Sequence, residues 1–66
     1  MNAILIVSDD RTGRAVRVVR DREWEQFVCR FYERDYSGRF VRNENADYFT
    51  DDKQDAIATA YAMVRS

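Results

Sequence analysis

Between Trp24 and Glu33 the chain alternates with a period of two. Phe27, Cys29 and Phe31 point one way, and Trp24, Gln26, Val28, Arg30 and Tyr32 point the other. Successive side chains of a strand leave on opposite faces, so this run predicts a strand whose aromatic side needs a cover. A helical period occurs only later. Ile57, Ala60, Tyr61 and Val64 fall at i, i+3, i+4 and i+7, with Ala56 and Met63 on the flank, and predict a helix to about Arg65. Thr50 or Asp51 is the expected cap, with Gln54 three residues after Asp51 as in a capping box. Asp51, Asp52 and Asp55 suit the positive end of the helix dipole.

The remaining segments read as strands and turns. Ala3 to Val7 is short, continuous and β-branched, which predicts a strand buried on both faces. Ser8 to Gly13 is turn chemistry, and Ala15 to Arg20 reads as the second strand of a hairpin. Asp21-Arg22-Glu23 is a polar break before the alternating run. After the turn Arg34 to Gly38, residues Arg39 to Asn43 resume as a fourth strand; Glu44 to Asp47 is a loop, and Tyr48-Phe49 adds a short extension to the sheet. The expected order is ββββα: an α+β domain, residues 1–66, with a small antiparallel sheet and one C-terminal helix packed on one face. One helix cannot cover both faces, and the first strand together with Trp24, Val28 and Tyr32 leaves the other face apolar. A chain of 66 residues is marginal on its own core, so a homodimer or a tight complex is expected.

Composition removes most chemistries. With no His, one Cys, no Pro and two Gly, the usual zinc sites, a disulfide framework, His-based acid/base catalysis and a Gly-rich phosphate loop are unavailable. Cys29 sits between Phe27 and Phe31 and reads as a small apolar core residue. Asp51-Asp52-Lys53 has a spacing found in magnesium-dependent nucleases, but at the start of a helix the acids are better explained by capping. Asp51 and Asp55, one turn apart, are solvated first-turn acids rather than a cation site. The expectation is a protein that is not an enzyme and takes no cofactor or metal. The N-terminus lacks a charged region, and its apolar run is shorter than a signal peptide's and far short of the ~20 residues of a membrane span, so a cytoplasmic protein with no membrane partner is expected.

Charge then bears on partners. The net charge is −1, whereas a dedicated nucleic-acid binder usually carries a basic surplus, so nucleic acid is not the expected partner. The balance is uneven along the chain: residues 1 to 43 hold nine Arg against seven acids, and residues 44 to 66 hold two basic residues against five acids. Two surfaces are candidates for binding a protein. The first is the acidic patch Glu44, Asp47, Tyr48, Asp51, Asp52 and Asp55, in which Glu44 and Asp47 have no structural duty. The second is the sheet face carrying Trp24, Arg30, Tyr32 and Arg39, since aromatics and Arg dominate protein interfaces and can also stack on bases.

The run Phe49-Thr50-Asp51-Asp52-Lys53-Gln54-Asp55-Ala56-Ile57 after a hairpin sheet resembles the sheet-then-helix ends of two classes. One comprises the phage-integrase arm-binding domains and their plant-type relatives, whose sheet enters a DNA groove. The other is the HicB-like antitoxin domain, whose sheet blocks a toxin. In size, composition and acidic clustering the whole chain resembles the small defence inhibitors of phages and mobile elements, including anti-CRISPR proteins. That resemblance implies a non-enzymatic inhibitor that blocks the nucleic-acid or subunit-binding surface of a host defence complex; the alternative is a small sheet-based nucleic-acid-binding regulator or antitoxin-like module.

Overall fold

A computed structural model of the protein describes residues 3–65. Three long strands, β1 (Ala3–Asp9), β2 (Arg14–Asp21) and β3 (Gln26–Arg34), form an antiparallel meander. Beyond β3 the edge position is shared. The short strand β4 (Phe40–Arg42) pairs with the C-terminal end of β3, and β5 (Tyr48–Thr50) pairs with its N-terminal half. Between them lies a single 3-10 turn, Glu44–Ala46. Helix α1 (Lys53–Arg65) then crosses one face of the sheet. The fold is the α+β class expected, with a four-strand path plus the fifth strand that the Tyr48-Phe49 extension anticipated.

Alternation decides what the helix covers. Leu5 and Val7 of β1, Val16 and Val18 of β2, and Phe27, Cys29 and Phe31 of β3 share one face and pack against Ala56, Ala60 and Val64. Of the expected stripe Ile57, Ala60, Tyr61 and Val64, Ala60 and Val64 are buried together with Ala56 from its flank, while Ile57 is at the margin and Tyr61 is exposed. Two alanines without exposed area let the backbones approach closely, and the Cys29 thiol donates to the Ala56 carbonyl at 3.3 Å. The helix cap is Asp52, one residue later than expected. Its Oδ1 accepts the Gln54 N–H at 2.9 Å, and its carbonyl accepts the Ala56 N–H. Thr50 instead supports the cap, its hydroxyl accepting the Asp52 N–H.

Two strand assignments change. Trp24 lies outside β3, in the turn Arg22–Glu25 that joins β2 to β3, and is 71% exposed. Glu25 reverses the chain there at φ 51, a left-handed conformation that costs a side-chain-bearing residue roughly 1 kcal/mol. Strand β1 is not buried on both faces: it is an edge strand, with Ile4 and Ile6 exposed on account of the single helix. The β3–β4 turn is held by Asp35, whose carboxylate accepts from the Ser37 hydroxyl and from the Ser37 and Arg39 amides. Those bonds keep its pKa below the ordinary carboxylate value, the Ser37 hydroxyl contributing most.

Candidate functional site

The acidic patch is mostly spoken for by the fold. The Asp47 side chain is only 6% exposed, pairs with Arg42 at 2.5 Å, and accepts the Phe31 N–H at 3.5 Å. It thereby helps to close the gap between β4 and β5, where the Asn43 N–H also donates to the Phe31 carbonyl at 2.9 Å. This overturns the expectation that Asp47 lacks a structural duty. The bond to Asp47 also raises the Arg42 pKa, with a smaller contribution from Glu44 at 3.8 Å. Asp52 is the helix cap. Asp55 accepts the Tyr48 hydroxyl at 2.7 Å, which lowers its own pKa and raises that of Tyr48. Of the six residues, Glu44 and Asp51 remain most available to a partner, on the rim beside the helix start.

The helix-free face of the sheet has a different character. Along its middle, β2 and β3 pair Val19 with Val28, Arg17 with Arg30, and Ala15 with Tyr32. Val19 and Val28 are buried although no helix lies over them, so neighbouring side chains cover them. Ile6 is 61% exposed beside Arg17, and Phe40 and Phe49 are exposed along the β4–β5 edge. Ile6, Ser8, Ala15, Arg17, Tyr32 and Phe40 line an open concavity of about 400 Å³. At its rim the Arg34 guanidinium lies 5.1 Å over the Phe40 ring and 3.4 Å from Asp10.

Arg17 and Arg30 stand directly opposite each other, an arrangement that like charges disfavour. Among the described residues neither has a carboxylate partner, and the Arg30 Nε is buried without a hydrogen-bond acceptor. Arg20 makes no ion pair among the described residues either. Of the four residues expected on this face, Arg30 and Tyr32 are on it; Trp24 is at the β2–β3 turn and Arg39 is in the β3–β4 turn. The alternating pattern supplied Arg30 and Tyr32. It does not reveal Arg17, whose place depends on the register between two strands, or Ile6, which the apolar run of β1 predicts as buried and the single helix leaves exposed.

Compared with models of known protein families, with curated proteins and with solved structures, the chain matches none. Among the described residues no helix is long and apolar enough to cross a membrane, and no three His, Cys, Asp or Glu side chains converge as a metal site would require.

Cys29 completes the account of reactive groups. Burial, then the negative charges of Asp55 and Asp47, pushes its thiol up from 9.0 to about 11. The protonated thiol is thus favoured in the folded chain. Its contribution to stability is fully present below pH 9 and lost as pH rises through about 11, at a rate approaching 1.4 kcal/mol per pH unit from this group. Urea unfolding at several pH values between 8 and 11 should show that decline, and Cys29→Val should flatten it. An identical slope in the variant would assign the alkaline loss to Tyr48, whose hydroxyl the bond to Asp55 holds protonated.

Proposed function

We propose that this protein is a non-enzymatic binding module that takes an acidic segment of a protein partner onto the helix-free face of its sheet. The observation that carries the reading is the Arg17–Arg30 pair: two arginines stand opposite each other across β2 and β3 with no carboxylate partner among the described residues, one with a buried Nε lacking its acceptor, on a face that also exposes Ile6, Phe40 and Phe49. An incoming Glu or Asp would relieve the repulsion between the two arginines, while apolar neighbours would cover the flanking side chains. Phosphate could pair with the same two groups, yet a nucleic-acid strand needs a track of cations. Here Arg42 and Arg34 are already bound by Asp47, Glu44 and Asp10. Occupying a partner's surface in this way would block whatever that surface binds, which is the mode implied by the resemblance to small defence inhibitors.

Arginine Nε–H signals provide the test. A panel of short peptides rich in Glu and aromatic residues should shift the Arg30 Nε–H and the backbone amides of Ile6, Tyr32 and Phe40. The double variant Arg17→Glu/Arg30→Glu should weaken that binding at least ~10-fold, equivalent to about 1.4 kcal/mol. Tighter binding of a single-stranded oligonucleotide, with affinity falling steeply as salt rises, would replace the protein partner by nucleic acid. Peptide binding unchanged in the double variant would remove this face from consideration.

A further inference from the structure

The two edges of the sheet are built differently. The β4–β5 edge is broken into two three-residue strands, interrupted by the 3-10 turn and plugged by the Asp47 carboxylate. Strand β1 is seven residues long and, among the described residues, pairs on one side only, with β2. Its sequence, Ala-Ile-Leu-Ile-Val-Ser-Asp, holds no Lys, Arg or Pro, the residues that commonly protect an edge from further pairing. A bulge shifts the register between Ala3 and Leu5, leaving Leu5 to Asp9 regular and its outer amides and carbonyls available.

We infer that β1 pairs with β1 of a second copy of this chain, joining two sheets edge to edge. The occupant follows from the contrast between the edges. A head-to-tail stack would require β1 to pair along the opposite edge, which is interrupted and internally satisfied. Like therefore pairs with like, and two identical antiparallel strands close around a two-fold axis that uses both free edges. Pairing centred on Ile6 sets Leu5 of one copy opposite Val7 of the other and Ile4 opposite Ser8, with no like charges facing. The half-buried Leu5 then continues the helix-side core across the junction. With the axis perpendicular to the sheet, both Arg17–Arg30 faces lie on the same side of the dimer. This pairing does not depend on the use proposed for that face. A single strand covers less than the ~800 Å² per partner of a standard stable interface, so the dimer is concentration-dependent.

The test is sedimentation equilibrium of the intact chain from low micromolar to near-millimolar concentration, with amide exchange followed at both limits. The weight-average mass should rise toward twice that of the chain, and alternate amides of β1 should gain protection only at the upper limit. Ile4→Lys should stay monomeric with unchanged circular dichroism; if that variant does not fold, Ser8→Lys makes the same test at the other end of the strand. Arg17→Glu/Arg30→Glu should still dimerise, which separates this pairing from the face described above. A monomer at every concentration overturns the inference. So does a dimer whose β1 amides stay unprotected, or one that persists in the edge-lysine variant that folds.

Discussion

Phe31→Ala is expected to leave the chain largely unfolded at room temperature. The ring comes from the middle of β3, lies opposite Val16 of β2, and belongs to the cluster closed by Ala56, Ala60 and Val64. Removing a buried Phe side chain costs about 3–5 kcal/mol, because the lost transfer energy is compounded by a cavity. At roughly 0.05–0.15 kcal/mol per residue, the whole domain has only ~3–10 kcal/mol to lose. Near-ultraviolet circular dichroism and urea unfolding would measure it, with Phe31→Leu as the variant that keeps much of the volume and costs about 1 kcal/mol. A cooperative transition close to wild type in Phe31→Ala would mean that the core is centred elsewhere.

The second large effect is expected at Asp47, the residue that holds the broken edge together. Asp47→Ala removes a nearly buried carboxylate from Arg42 and strips the Phe31 amide of its acceptor. Arg42 remains about a third exposed, so the freed cation regains some water and the loss stays below that of a fully buried pair. A cost of about 2 kcal/mol is expected, with Asp47→Asn near half of it because the amide oxygen can still accept from Phe31. Chemical denaturation of both variants, alongside Arg42→Ala, gives the coupling. If Asp47→Ala changes stability by less than 0.5 kcal/mol, the carboxylate is a surface acid after all.

The sequence carried the sheet because strands announce themselves by alternation, and Phe27, Cys29 and Phe31 alternate cleanly. The helix was equally legible, although Ala56 rather than Ile57 and Tyr61 joins Ala60 and Val64 in its buried stripe. Apolar periodicity alone does not reveal that two alanines bring the helix close to Cys29. What escaped notice depends on long-range geometry. Asp47 looked like a loop acid because its partners are on β3 and β4, and no local pattern encodes a carboxylate standing in for a missing strand residue. Arg17 became part of a site only when the register set it across from Arg30. Trp24 falls in phase with the alternation of the strand, whereas the left-handed Glu25 ends the turn just before β3 with neither Gly nor Asn to signal it.

The first hairpin turn also meets the end of the helix: the Thr12 hydroxyl donates to the Val64 carbonyl at 2.7 Å. These residues are 52 positions apart, so the bond cannot form until the chain between them has found its place. Contacts completed after the folding barrier leave the folding rate nearly untouched and act on the reverse step. Thr12 is thus expected to act as a latch on the native state, slowing its opening without hastening its assembly.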